Sequence, residues 1–212
     1  MAFNRDGSRL LAGLLHSFEG QKPVVLDYTG GSWDVQWDPN GDRFLVGSRT
    51  MGVLNMYDKD GKHIRTLNST PIEYRIAPSP DGRTLAISER FEQAVRFISI
   101  DGIPQGWYPH GGGTFDWHPS GKYFVVNSGD RVIHVVETDS QKLVNKTNKP
   151  HFEGALVTRF EPTQGDVVAL GFYSSCALWR WQVESAPQKI FPALTKLRDV
   201  NWTPDGTKLL FT

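Results

Sequence analysis

Three arginines, Arg49, Arg90 and Arg131, recur at comparable places between apolar runs, and Arg75 and Arg198 open two further runs. Aromatic and imidazole side chains gather in the irregular stretches: Trp33, Tyr74, Trp107, Tyr108, His110, His151 and Phe152. A guanidinium fork grips a carboxylate or phosphate through two parallel hydrogen bonds. Tryptophan and tyrosine bury a large area at small entropic cost, which makes them contact anchors. The chemistry implied is recognition of a protein partner. Glu89, Glu92 and Asp130 share the arginine stretches, so a self-paired, solvated charge network is the competing expectation.

Catalytic and metal chemistry find less material. The six histidines are scattered singly, and only His110 and His151 fall in stretches that could approach one another. A metal site needs clustered His, Cys or carboxylate ligands, so none is expected. Ser174-Ser175-Cys176 lacks the Gly-x-Ser-x-Gly elbow of a nucleophilic serine. Cys176 reads as a small buried hydrophobe. Gly111-Gly112-Gly113 precedes an extended run and no helix, so it offers no phosphate cradle. The expectation is a chain with no catalytic residues, no metal and no cofactor.

Charge narrows the partners. Lys plus Arg and Asp plus Glu both number 23 in the 212 residues, a formal net charge of zero. This balance gives no general attraction to nucleic acid or to anionic lipid. A single cysteine makes no internal disulfide and points to a reducing compartment, the cytoplasm or else the nucleus. The opening residues contain no long apolar stretch, so neither a secretory leader nor a membrane-spanning helix is expected.

The elements that must position these side chains come from a recurring phrase. Trp37-Asp38-Pro39-Asn40-Gly41 returns as Pro78-Ser79-Pro80-Asp81-Gly82, Trp117-His118-Pro119-Ser120-Gly121 and Trp202-Thr203-Pro204-Asp205-Gly206. Looser copies are Phe160-Glu161-Pro162-Thr163-Gln164-Gly165 and Phe3-Asn4-Arg5-Asp6-Gly7. The closing glycines stand at 7, 41, 82, 121, 165 and 206, in steps of 34 to 44 residues. Proline sets φ for a type I turn, the preceding polar residue accepts from the backbone, and glycine supplies the positive φ of the following bulge. A short strand A precedes each turn and an apolar strand B, such as Phe44-Leu45-Val46, follows it. Strand C is expected at 53–57, 95–98, 132–136 and 177–181, and a weaker strand D at 64–67, 142–144 and 189–191. In the copy that holds Trp107 the fourth strand, 103–107, is expected to be broken by Pro104 and Gly106. The first copy is short and is expected to lack a strand between Asp27 and Trp33. Four short strands per copy with a period near 40 predict an all-β fold, a single β-propeller over residues 1–212 of about five blades.

On these phrases the sequence resembles the WD-repeat family of propellers, and its turns also resemble the Ser-Pro-Asp-Gly repeats of TolB-like propellers. The resemblance implies a protein-interaction scaffold, a subunit of a larger assembly. No Gly-His pair opens a repeat, and Tyr57-Asp58 stands where the family's Trp-Asp closes strand C. Trp179-Arg180-Trp181-Gln182 does not match the family's Trp-Asp-x-Arg adaptor-docking signature.

Two arrangements fit the spacing. Five blades close on themselves, or the chain is a segment of a six- or seven-bladed ring whose open edges allow self-association. Both ends carry a strand B where a five-blade closure needs one, which favours the segment. In such blades the A–B and C–D turns share one end, and the D–A and B–C loops share the other. The contact residues named above fall on the second, irregular end, where binding concentrates. Trp37, Trp117 and Trp202 repeat and are expected in the core, as are Trp179 and Trp181. The alternatives are a hydrolase or lyase with a central-channel site, and the accessory propeller of a peptidase. For the first, the starts of the A strands offer only Asp34, Arg75, Thr114, Val157 and Asp199, a poor constellation.

Overall fold

The computed structural model describes residues 2–3, 8–11, 15–17, 23–24, 32–48, 53–68, 75–89, 94–111, 113–128, 131–147, 155–183, 186–191 and 197–211. All of its regular elements are strands. Blade 1 holds β1 (Ala2–Phe3), β2 (Arg9–Leu11) and β3 (Leu15–Ser17), with Val24 bridged to Leu15 in the place of a fourth strand. Blade 2 is β4 (Ser32–Trp37), β5 (Arg43–Ser48), β6 (Val53–Asp58) and β7 (His63–Asn68). Blade 3 is β8 (Arg75–Pro78), β9 (Thr84–Glu89), β10 (Ala94–Ser99) and β11 (Pro104–Tyr108). Blade 4 is β12 (Phe115–Trp117), β13 (Tyr123–Asn127), β14 (Ile133–Glu137) and β15 (Leu143–Lys146). Blade 5 is β16 (Val157–Phe160), β17 (Val168–Gly171), β18 (Cys176–Trp179) and β19 (Gln188–Phe191). The hairpin β20 (Val200–Trp202) and β21 (Leu209–Phe211) forms the last pair. Strands pair in chain order within each blade, the antiparallel meander of propeller blades. The chain falls into two compact units, residues 1–90 with 96–107 and residues 91–95 with 108–212.

The apolar runs explain why blades stack. Phe44 and Val46 face blade 1, joining Leu11, Leu15, Trp37 and Tyr57, while Leu45 between them joins Ile76, Leu85 and Ile87 of blade 3. Likewise Val168 and Leu170 pack on Val125 and Ile133 of blade 4, and Ala169 packs with Val200 of the last hairpin. A strand buried on both faces must be apolar at every position, which is why strand B reads as a continuous run instead of alternating. Trp37, Trp117, Phe160, Trp179 and Trp181 are buried, and Trp202 is half-buried among Val157, Ala169 and Cys176.

Two boundaries differ from expectation. β11 forms across Pro104 and Gly106, because it is the outer strand of its sheet: Pro104 stands at its first residue and Gly106 takes φ 136°. β18 ends at Trp179, and Trp181 lies in the following turn, where the Val183 N–H donates to the Arg180 carbonyl.

The repeated phrase folds as its residues dictate. The Gly41 N–H donates to the Asp38 carbonyl at 3.0 Å, and the Asp38 N–H donates to the Arg43 carbonyl at 2.9 Å. The buried Asp38 carboxylate accepts from the backbone of Asp42 and Arg43 and from Arg43 Nε. Ser79, His118, Glu161 and Thr203 close their own turns from the same position. Gly165 has φ 74°, and a Cβ there would lie 2.2 Å from His118 Nε2. A Cβ on Gly206 would meet Glu161 Oε1 in the same way. At these two positions the glycine both makes its own turn and leaves room for the turn residue of the preceding blade.

Candidate interaction site

Each blade has two chemically different ends. At the turn end, the C–D turn bonds back onto the A–B turn: Lys59 N–H to the Asp42 carbonyl, Ile100 to Arg83, and Thr138 to Lys122, all at 2.8 to 2.9 Å. In blade 5 the Trp181 indole takes the backbone's place and donates to the Gly165 carbonyl at 2.7 Å. Local bonds also hold the acids here. The Ser79 hydroxyl, donating to Asp81, holds that carboxyl below its usual range, and Thr203 does the same for Asp205. Burial pushes the Glu161 carboxyl up, but donors from Thr163, Gln164 and Gly165 outweigh it and the net direction is down. Burial also pushes the His118 imidazole down.

At the opposite end the D–A segments bond to the B–C loops. The Asn127 N–H donates to the Thr114 carbonyl, Leu156 to Gly171, and Leu197 to Tyr173. Asn127 Nδ2 reaches the Ala155 carbonyl at 3.0 Å. These bonds leave side chains outside. In the unit of residues 108–212, Arg131, Leu156, Tyr173 and Arg198 are all exposed at this end. Arg131 holds φ 65°, and its N–H donates to the Ser128 carbonyl at 2.9 Å.

The expected contact residues that are described differ in their surroundings. Arg131 and Arg198 stand at the irregular end, and Trp107 is 55% exposed on β11. Tyr108 is buried: its ring packs edge-on against Phe124 and its hydroxyl bonds His134 Nδ1 at 3.1 Å. That ring belongs to the core and not to a contact surface. His110 is exposed, with its ring 6.2 Å from that of His134. The backbone of Trp33 lies in β4, as the extra residue of a bulge between Ser32 and Asp34, and its side chain is outside the described residues. Tyr74, His151, Phe152, Arg49 and Arg90 lie outside the described residues, as do Glu92 and Asp130. Sequence reasoning missed Leu156 and Tyr173. Tyr173 carried a usable signal, an aromatic residue in a B–C loop, but the pattern being followed there was arginine.

The inner strands hold a polar row. The Asp34 carboxylate accepts from Gln36 and from the Ile76 N–H of the next inner strand at 2.8 Å. Asp116 accepts in the same way from the Phe160 N–H at 2.9 Å. Arg159 bonds Asp199 and Asn201, and Asp199 accepts from the Val200 N–H. These carboxylates stitch strand to strand. Cys176 is fully buried, and burial pushes its thiol up to about 11, so it stays protonated at neutral pH. Gly111 packs between Val95 and Val126, where a Cβ would approach both within 2.7 Å. Among the described residues no group of three or more His, Cys, Asp or Glu could hold a metal ion, and no helix is long and apolar enough to cross a membrane.

No protein-family model matches this sequence, and no curated protein matches it significantly.

Proposed function

We propose that this chain is a non-catalytic protein-interaction scaffold of WD-repeat-like blades, a cytoplasmic subunit of a larger assembly, that binds a protein through the D–A and B–C end of its blades. The observation that carries the reading is the contrast between the two ends. The turn end bonds its backbone and several of its polar side chains locally, whereas the loop end exposes Arg131, Leu156, Tyr173 and Arg198. Arginine and tyrosine are residue types enriched at interface hot spots, and an exposed leucine adds apolar area. The inner carboxylates, committed to strand-to-strand bonds, and the protonated Cys176 support a binding role over a catalytic one. Zero net charge supports a protein partner over nucleic acid.

The test compares variants from the two ends. Affinity capture is run with the wild-type chain, with Arg131→Glu/Tyr173→Ala/Arg198→Glu, and with a turn-end control, Lys59→Glu/Lys142→Glu. The expected result is that the loop-end triple variant loses the captured protein while its melting transition is retained and the control keeps it. Capture that survives the triple variant would sink the reading.

A further inference from the structure

The four complete blades end in outer strands β7, β11, β15 and β19, and these differ in one respect. β7 carries His63 and Arg65, β15 carries Lys146, and β19 carries Lys189. Charges on an outer strand oppose pairing with another copy of the same edge. β11 has none: from Gly102 to Gly111 the chain contains no Lys, Arg, Asp or Glu. The adjoining charge in the sequence, Asp101, is paired with Arg65 at 2.7 Å, and Arg96 lies on the neighbouring β10. Instead this edge presents Trp107, 55% exposed, and Ile103, 64% exposed, beside the exposed Gln105.

The pattern of apolar residues is its own complement. Side chains two residues apart share one face of a strand. An antiparallel pairing of two β11 edges about a two-fold axis at Gln105 sets Ile103 of each copy opposite Trp107 of the other. Pro104 then stands opposite Gly106. A two-fold interface uses the same patch on both partners, so one neutral, aromatic strand suffices to build it. We infer that the outer edge of β11 pairs with the same edge of a second copy of this chain, with Trp107 and Ile103 as reciprocal cross-strand contacts. Pro104 withholds one backbone donor, so the pairing is short and the two aromatic–aliphatic contacts carry most of it. The other occupant of such an edge, a neutral strand from a different protein, is separated by experiment. This inference is independent of the loop-end binding reading, because it uses none of Arg131, Leu156, Tyr173 and Arg198.

Sedimentation equilibrium over a wide concentration range is expected to give a reversible monomer–dimer equilibrium, weakened at least about tenfold by Trp107→Glu, which places a charge on the edge at an exposed site. Gln105→Cys is expected to cross-link between copies under mild oxidation, since facing strand residues stand about 4.5–5.5 Å apart and a disulfide spans that distance. Lys189→Cys on β19 serves as the control and is expected to cross-link more slowly. Cys176, fully buried, does not compete. A chain that stays monomeric with Gln105→Cys no faster than Lys189→Cys overturns the inference. So does a dimer indifferent to Trp107→Glu, or a monomer whose capture of another protein depends on Trp107. Melting of Trp107→Glu alongside wild type distinguishes lost pairing from lost folding.

Discussion

The two ends of a blade are made from similar lengths of chain, yet one is repetitive and bonded to itself while the other differs in every copy. At the turn end, a polar residue, a proline and a glycine recur because the turn geometry requires them, and at Gly165 and Gly206 a turn residue of the preceding blade also leaves no room for a Cβ. At the loop end, backbone bonds such as Leu197 to Tyr173 tie the segments down, and Tyr173 and Arg198 are exposed. Stability is concentrated where the copies agree, and recognition is expected where they disagree.

That contrast breaks or holds under substitution. Trp181→Ala removes a buried indole and its bond to Gly165, and is expected to cost about 3–5 kcal/mol of folding stability by denaturant titration. Gly165→Ala combines a left-handed φ with a collision against His118 and is expected to cost at least about 1–2 kcal/mol in the same assay. Thr158→Val is expected to act in the opposite direction. Its hydroxyl is fully buried with no partner among the described residues, and the same strand position holds Val35, Ile76, Phe115 and Val200 in other blades. Removing an unsatisfied buried hydroxyl while keeping the shape should stabilise by about 1 kcal/mol. A destabilised Thr158→Val would mean that the hydroxyl has a partner after all.

A smaller effect separates the ends by pH. The folded-state pKa of His118 lies below its unfolded value of about 6.5, so the folded state favours the neutral ring. Its contribution is fully present above the unfolded pKa. It is lost as pH falls from there toward the folded pKa, because the unfolded chain binds the proton first. Thermal melts between neutral and mildly acidic pH should fall more steeply for wild type than for His118→Asn. The lowered carboxyls of Asp81, Glu161 and Asp205 add their losses at lower pH, as it falls from the usual carboxylate range toward their lowered values. The smallest effect belongs to the loop end: Tyr173→Ser and Arg198→Ala are expected to change stability by less than about 0.5 kcal/mol. A loss as large as that of Gly165→Ala would abolish the contrast.

Much of the fold was legible in the chain, and for identifiable reasons. The Asp38-Pro39-Asn40-Gly41 phrase encodes its own turn, since proline and glycine restrict φ locally, and the run Phe44-Leu45-Val46 reports burial on both faces. β11 was not legible, because proline and glycine weigh against a strand locally while an outer edge tolerates both. Tyr108 was misplaced for a related reason: adjacent strand residues point to opposite faces, so Trp107 is exposed and Tyr108 is core, and the residue types alone do not say which.

The sequence by itself determined the period, the turns and the apolar strands, all of which follow from short-range backbone preferences and from which residues shun water. Tertiary structure alone decided which polar groups are spent on holding blades together and which remain outside. The carboxylates of Asp34 and Asp116 are held because the next inner strand supplies the N–H that each accepts. Those partners lie 42 and 44 residues away, beyond the reach of any local pattern, and only the stacking of one blade on the next brings them within hydrogen-bonding distance.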